Sequence, residues 1–302
     1  MVGRVPLRNF AGGIGDLLCE LWVIESMRAA GLDPVLHTNV WREVPALFGL
    51  EGAMTPHDLP KPRMPEGFPE PERWAVEVGA HGHPPKGLPS VGMGWIRTWL
   101  WGYSGVRDLP VVRPRFKPLP LLQEKMRGVW QGTGRRVLVF PDVVFAVRRW
   151  PHTRFISLTE QLLEEGCDVR MVLPGTPHPD YPRAIGNLSI TEAIHLVATA
   201  DLVVGNDSGP AHIAGTLDVP CVAVCGPTPP RLFFEHTPSV REVRCPKERM
   251  RCVGCNWQRG KGYIDSVCAP ACEALNRTSV EEVVTACRES LRRTSPSSAT
   301  PP

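Results

Sequence analysis

Two glycine-containing turns carry the residues that could do chemistry, and each stands where an apolar strand gives way to a helix. The first, residues 12–16, has the sequence Gly-Gly-Ile-Gly-Asp, and the second, residues 205–212, has the sequence Gly-Asn-Asp-Ser-Gly-Pro-Ala-His. Glycine lets the backbone approach a ligand closely, and the free amides at a helix start attract an anion. We therefore predict a phosphate-binding edge, with Asp16 as a candidate general base and His212 as a further hydrogen-bond donor.

Both of these side chains also have a simpler structural interpretation. Aspartate often caps a helix, so the first turn alone favours capping by Asp16 over proton transfer. His212 could be a hydrogen-bonded core histidine, but its position one turn inside the second helix favours a hydrogen bond to a bound diphosphate. A Rossmann dinucleotide site is disfavoured, because the third glycine is misplaced and His-Thr at 37–38 replaces the required acidic residue.

Cationic and hydroxyl side chains follow two further predicted strands. Arg148 lies in a Val-Arg-Arg-Trp-Pro segment, and its guanidinium group suits the bidentate binding of phosphate oxygens. Thr228 ends a Gly-Pro-Thr turn after another strand. The second glycine turn should begin its helix near Pro210, with Asp207 or Ser208 as the cap. Three strand ends are thus expected to converge on one crevice that binds a diphosphate.

An alternation of strands and helices positions these turns. Residues 2–38 predict a strand–helix–strand unit, and the later part of the chain continues the alternation with unbroken runs of Val, Leu and Ile. Such runs are typical of a parallel sheet that helices cover on both faces, so the sequence predicts the α/β class. The predicted strands are residues 2–10, 34–38, 137–140, 169–173, 202–205 and 219–224, and the predicted helices are residues 17–30, 155–165, 191–200, 209–217 and 279–291.

Chain length predicts two domains, because 302 residues exceed a comfortable single core. We assign residues 1–120 to a reduced, proline-rich N-terminal domain, residues 121–293 to a C-terminal domain and residues 294–302 to a disordered tail. Residues 111–134 are the best linker candidate. A tryptophan-rich patch in the first domain is more typical of a core than of an acceptor platform. Its members are Trp95, Trp99 and Trp101.

The composition disfavours several classes of function. A net charge of +3 is too small to favour nucleic acid as a partner, and 42% hydrophobic with 22% charged residues is ordinary for a globular protein. No apolar run approaches the roughly 20 residues that cross a bilayer, and the N-terminus lacks a signal-peptide core. We therefore expect a cytoplasmic protein that spans no membrane, while peripheral membrane contact stays open.

Cysteines cluster in the C-terminal part. Four cysteines have spacings compatible with a tetrahedral metal site: Cys252, Cys255, Cys268 and Cys272. Cys245 is an additional candidate ligand. Without a secretory signal, such clustering favours metal binding over disulfides. A structural zinc or iron and simply reduced cysteines are the two interpretations that the spacing allows. A catalytic thiol is disfavoured, because no Cys–His pair is indicated nearby.

Together the motifs at residues 12–16, 147–151, 205–212 and 226–228 resemble the heptosyltransferase family, glycosyltransferase family 9. The resemblance covers most of residues 137–284 and the start of the chain. It implies a GT-B fold, with two Rossmann-like doubly wound domains facing a central cleft. The cysteine-bearing segment is similar to that of the autotransporter heptosyltransferases, and this similarity implies a structural iron.

The resemblance also implies an activity and its site residues. An inverting glycosyltransferase would move a heptose or related sugar from a nucleotide-diphosphate donor, with ADP-heptose favoured, to a saccharide or protein acceptor. No catalytic metal is implied. Asp16 matches the family's proposed base, and Arg148 matches its phosphate-contacting cation. The implied donor-binding residues are Gly13, Gly15, Arg148, Asp207, Ser208, Gly209, His212 and Thr228.

One departure from the family pattern concerns the nucleotide. Family members often carry an acidic residue after the strand that here ends in Leu-Pro-Gly at 173–175, and in this chain Asp180 is the one candidate for that place. Two other functions stay open: a GT-B-like nucleotide-sugar epimerase, and a non-enzymatic, metal-stabilised binding module. Asp16 favours transfer over epimerisation, because an attacking hydroxyl needs a base.

Overall fold

Two parallel β-sheets form the framework of this computed structural model. The structure describes residues 4–8, 13–38, 40–50, 95–104, 106, 108–176, 181, 183–228, 231–249 and 272–293. The strands are β1 Arg4–Arg8, β2 Asp33–His37, β3 Arg136–Phe140, β4 Asp168–Val172, β5 Ala184–Ile185, β6 Leu202–Asn206, β7 Cys221–Val224 and β8 Val240–Val243. The helices are α1 Ile14–Ala29, α2 Trp95–Ser104, α3 Pro120–Arg127, α4 His152–Glu164, α5 Ile190–Val197, α6 Gly209–Leu217, α7 Glu273–Arg277 and α8 Val280–Arg293, with short 3-10 helices at Pro45–Phe48 and Ala146–Arg148.

The larger sheet has six parallel strands in the order β5-β4-β3-β6-β7-β8. Its first strand in the chain is β3, which β4 and β5 extend on one side while β6, β7 and β8 extend it on the other. The boundary between β3 and β6, where Phe140 pairs with Gly205, is therefore a topological switch point. Doubly wound sheets bind ligands at such a point, beyond the carboxyl ends of the strands.

Helices cover both faces of this sheet. On one face, α4 and α8 pack on a core cluster that includes Phe155 and Val284. On the other face, α5 and α6 pack on a second cluster that includes Leu138 and Ala214. Every residue of β4 and of β6 is buried, and both strands are mainly apolar, although β4 also buries the ion pair of Asp168 and Arg170. The predicted parallel sheet covered on both faces is thus confirmed.

The β1–α1–β2 unit shares a core with α2 and α6. α1 is buried along most of its length, because Leu17, Leu21 and Ile24 follow the helical period. Trp99 of α2 is 5% exposed within the same core, so the core interpretation is confirmed for this tryptophan. The side chain of Trp95 lies outside the described residues.

Several elements differ from the sequence predictions. The linker predicted at 111–134 contains α3, which begins at Pro120, a position that suits proline. The short elements β5, β8 and α7 are also absent from the predictions. The sequence of β8, Val-Arg-Glu-Val, has two charged residues at its centre, so it lacks the apolar run by which a buried strand is recognised. The domain boundary near residue 120 stays a prediction, and the tail at 294–302 lies outside the described residues.

Within the described ranges, no helix combines the length and the apolar character that crossing a membrane requires.

Candidate functional site

The starts of α1 and α6 meet beside the switch point, and two glycines allow their close approach. A Cβ atom built on Gly15 would lie 2.7 Å from Cδ2 of His212. A Cβ atom built on Gly209 would overlap Cγ2 of Ile14. Atoms cannot approach so closely without a shift of the helices or side chains, so this arrangement depends on glycine at both positions. The two glycine turns predicted from the sequence therefore face each other.

Asp16 stands in the first turn of α1, whose N-cap residue is Gly13. A Cβ atom built on Gly13 would lie 2.6 Å from Oδ2 of Asp16, so the carboxylate lies against the start of its own helix. Asp16 is half-buried, and burial raises its pKa to about 6, while the charge of Arg148 and the hydrogen bond with its own backbone amide lower it. A carboxylate with this pKa is suited to accept a proton near neutral pH.

We expect Asp16→Asn to stabilise the protein at alkaline pH. The pKa is 3.8 for an ordinary aspartate and about 6 in the fold, so the ionised carboxylate opposes folding. Its cost is absent below pH 3.8, grows as the pH rises, and is complete above pH 6. The shift corresponds to about 3 kcal/mol, which partial solvent access reduces to about 1–2 kcal/mol.

Urea unfolding at pH 8 and at pH 4 measures this gain. The matched control is Asp108→Asn, which removes an exposed aspartate and should change the free energy of unfolding little at either pH. An equal gain for Asp16→Asn at both pH values, or no gain at pH 8, would contradict a buried charge at this position.

At the start of α6, Pro210 has no N–H and the amide of Ala211 donates to the carbonyl of Ser208 at 3.0 Å, which leaves the amides of Ser208 and Gly209 for a ligand. Ser208 is the N-cap residue and Pro210 stands in the first turn, as predicted. The Ser208 hydroxyl donates to the carbonyl of Asn206 at 3.3 Å, and no side chain among the described residues caps the helix. The positive end of α6 is therefore open to an anion such as a diphosphate.

The side chain of Asp207 contacts the Gly-Pro-Thr turn that follows β7. Its carboxylate accepts a hydrogen bond from the hydroxyl of Thr228. The residue is 2% exposed, and its Oδ1 atom has no hydrogen-bond partner within the described part of the chain. Arg244 donates to the carbonyl of Thr228 and pairs with Glu242 at 3.2 Å. These contacts fix the turn that carries Thr228 next to the start of α6.

Arg148 lies in the loop after β3, near enough to Asp16 and His212 for its charge to act on both. Its backbone amide donates to the carbonyl of Phe145 at 2.9 Å, and its guanidinium carbon lies 5.7 Å from the centre of the Phe145 ring. Its positive charge lowers the pKa of both Asp16 and His212. The structure thus brings together an acid, a cation and a histidine from three distant parts of the chain.

His212 lies one turn inside α6, and its pKa is lowered to about 4. Burial is the main cause, the charge of Arg148 adds to it, and the charge of Asp207 opposes it. Its Nδ1 atom lies 3.8 Å from Sγ of Cys19, and its ring centroid lies 5.0 Å from that of Phe234. The imidazole is therefore neutral near pH 7. A neutral imidazole in this place can donate one hydrogen bond to a ligand, but it contributes no positive charge.

A second polar cluster lies beyond the carboxyl ends of β3 and β4. His152, the first residue of α4, has Nδ1 2.5 Å from the hydroxyl of Tyr181 and Nε2 3.0 Å from Oδ1 of Asp142. Sequence reasoning missed this cluster. No short motif links these residues, so the order of the strands would have been needed to group them.

The cysteine cluster and Asp180 fall mostly outside the described residues. Cys252, Cys255 and Cys268 cannot be placed, whereas Cys272 is 2% exposed in the core beside the Gly-Pro-Thr turn. The residues that can be placed contain no group of three His, Cys, Asp or Glu side chains suited to a metal ion. The structural metal at these cysteines stays a prediction.

Residues 122–259 match the model of glycosyltransferase family 9 (heptosyltransferase). A lipooligosaccharide heptosyltransferase 2 from Haemophilus influenzae is 30% identical over 146 residues, which cover 41% of this chain and 42% of that protein. The alignment thus spans about two fifths of the length of this curated relative. The match to the family includes Arg148, Asp207 and Thr228, whereas Asp16 precedes it.

Two solved structures extend the likeness to the N-terminal part. The E. coli ADP-heptose lps heptosyltransferase II has a TM-score of 0.66 at 14% identity, covering 96% of this chain and 99% of that one. The iron-containing dodecameric glycosyltransferase TibC from enterotoxigenic E. coli also has a TM-score of 0.66 at 14% identity, covering 96% of this chain and 77% of that one. At such low identity the structural likeness shows the fold alone, and this likeness confirms the predicted α/β GT-B class.

Proposed function

We propose that this chain, whose residues 122–259 match the model of glycosyltransferase family 9, moves a sugar from a nucleotide-diphosphate donor to an acceptor hydroxyl. The observation that carries the proposal is the meeting of Asp16, Arg148 and the open start of α6 in one cleft. A base, a cation and free backbone amides are the groups that such a transfer needs. ADP-heptose is the favoured donor, because the relatives are named for heptose transfer and one structural neighbour is named for ADP-heptose.

The leaving diphosphate is stabilised by groups that the fold holds in place. As the bond between the anomeric carbon and the diphosphate oxygen breaks, negative charge grows on that oxygen. The amides at the start of α6 and the guanidinium of Arg148 face this charge, and neutral His212 donates one further hydrogen bond. Since these groups are positioned before the reaction, they stabilise the charge without reorganisation.

Asp16 acts at the acceptor hydroxyl. The hydroxyl oxygen attacks the anomeric carbon from the side opposite the diphosphate, its proton passes to the Asp16 carboxylate, and the anomeric configuration inverts. A pKa of about 6 keeps Asp16 mainly ionised at pH 7.5 while leaving it basic enough to accept the proton. The close approach of α1 and α6 at Gly15 and Gly209 supports this assignment, because base and leaving-group site must lie within the span of one sugar.

A saccharide of the lipopolysaccharide type is our proposed acceptor, because the relatives are named for lipooligosaccharide and lipopolysaccharide. The transfer uses no catalytic metal in this proposal, since Arg148 and the start of α6 supply the positive charge. A structural zinc or iron at Cys252, Cys255, Cys268 and Cys272 is a separate proposal, and elemental analysis of the purified chain tests it.

A thermal-shift screen against nucleotide sugars tests donor binding. A ligand that binds only the folded state stabilises it by about 2.7 kcal/mol at a concentration of 100 Kd, so ADP-heptose should raise the melting temperature by about 5 °C or more. Sugars linked to UDP, GDP and CMP provide the comparison, and AMP, which lacks the second phosphate, is the control. A larger shift with another diphosphate nucleotide would reassign the donor, and no shift with any of them would contradict the proposed site.

A further inference from the structure

Asn206, the last residue of β6, joins the ends of two strands at the switch point. Its Nδ2 atom donates to the carbonyl of Pro141 at 2.8 Å, and its Oδ1 atom accepts from the backbone amide of Trp150 at 2.7 Å. The residue is fully buried, with 0% exposure. One side chain thus satisfies a backbone group at each end of residues 141–150, the loop that carries Arg148.

The chain needs a substitute for backbone pairing at this point. β3 and β6 pair as far as Phe140 and Gly205, and the next residue on the β3 side is Pro141, which has no N–H to continue the ladder. A Cβ atom on Gly205 would lie 3.0 Å from the carbonyl oxygen of Phe140, so the strands are in close contact up to their last pair. Beyond the last pair, the side-chain amide of Asn206 makes the hydrogen bonds that join the two strand ends, because it carries both a donor and an acceptor.

We propose that Asn206 is a positioning residue that fixes the loop at 141–150 and thereby presents Arg148 to the diphosphate. The inference rests on the proposed function for the role of Arg148, whereas the fixing of the loop stands on hydrogen bonds alone. Other contacts of the loop lead to other places: Trp150 Nε1 donates to the carbonyl of Thr278 at 2.9 Å, and Asp142 Oδ1 lies 3.0 Å from Nε2 of His152 in α4. Within the loop, Arg149 donates to the carbonyl of Val143 at 3.0 Å. Of these contacts, those of Asn206 tie the loop to the strand that leads into the donor turn.

Hydrogen exchange of the full-length chain tests the fixing of the loop without any ligand. In Asn206→Ala, peptides from residues 141–150 should take up deuterium faster, while peptides from β4 and α4 keep wild-type uptake. Asn206→Asp retains the acceptor for Trp150 but places an acceptor oxygen against the carbonyl of Pro141, so deuterium uptake of the loop should also rise in this variant. The control is Thr159→Val, which removes a buried hydroxyl that donates to the carbonyl of Phe155 at 2.8 Å and should leave the loop unchanged.

Kinetics test the consequence for Arg148. A misplacement of about 1 Å can cost roughly a hundredfold in rate, so Asn206→Ala should lower kcat/KM for the nucleotide sugar by about 10- to 100-fold. In the Arg148→Ala background, the same change should cost less than about threefold further, because the group that it positions is already absent.

The outcomes separate the two proposals. Unchanged loop exchange in both Asn206 variants, or losses that multiply in the double variant, would overturn the positioning role. Faster loop exchange in a protein that transfers no sugar would overturn the proposed function, while the fixing of the loop by Asn206 would be supported.

Discussion

Replacing Asp16 with asparagine is expected to lower kcat by about 10²- to 10⁴-fold, the usual contribution of a general acid–base residue. The Kd of the donor should change by less than about threefold, or decrease, because the carboxylate acts in the transition state and its removal takes a negative charge from the diphosphate site. Initial rates of ADP release measure kcat, and titration calorimetry with ADP measures the Kd. In the wild type, the raised pKa also predicts that kcat/KM falls below about pH 6.

The exposed Asp108→Asn variant is the matched control and should retain wild-type kcat. If Asp16→Asn lost donor binding and turnover in parallel, Asp16 would belong to the donor site and the base would have to be another group. If kcat were unchanged, a proton-accepting role for Asp16 would be wrong.

The Arg148→Ala variant should lose both affinity and turnover. We expect the Kd of ADP to rise about 10-fold and kcat/KM to fall about 10²- to 10³-fold, because the guanidinium binds the diphosphate in the ground state and stabilises its growing charge in the transition state. Arg148→Lys keeps the charge without the bidentate fork, so it should recover part of the loss. Calorimetry with ADP and initial-rate kinetics measure the two effects.

Arg127→Ala is the charge-matched control, since this exposed arginine ends α3 away from the switch point. It should leave both constants within about twofold of the wild type. Equal losses in the two variants would show a general effect of net charge. A fall in kcat for Arg148→Ala with unchanged Kd would remove Arg148 from the ground-state phosphate site.

The local turns could be predicted because the rules that specify them act within a few residues. Proline in a first turn and a short polar residue before it determine where a helix begins, and α6 runs over residues 209–217 as predicted. Strands buried on both faces are mainly apolar, and β3, β4 and β6 lie within two residues of their predicted positions, although β4 also contains Asp168 and Arg170.

The meeting of the catalytic candidates could not be predicted in the same way. The contact between Gly15 and His212 depends on the packing of two helices that are far apart in sequence, and the burial that raises the pKa of Asp16 follows from it. The role of Asn206 depends on the pairing of β3 with β6, which the sequence does not specify. Family resemblance supplied the roles of Asp16 and Arg148, whereas the residues that hold them in place emerge only from the structure.

Sugar transfer is tested most directly by incubating the purified chain with ADP-heptose and a lipopolysaccharide core that lacks its terminal heptose. ADP release can be followed by a coupled assay, and the acceptor can be analysed by mass spectrometry and NMR. We expect ADP to be released only when the acceptor is present, with one heptose added to the acceptor in inverted configuration. Consumption of ADP-heptose without acceptor, or an unchanged acceptor in the presence of bound donor, would contradict the proposed transfer.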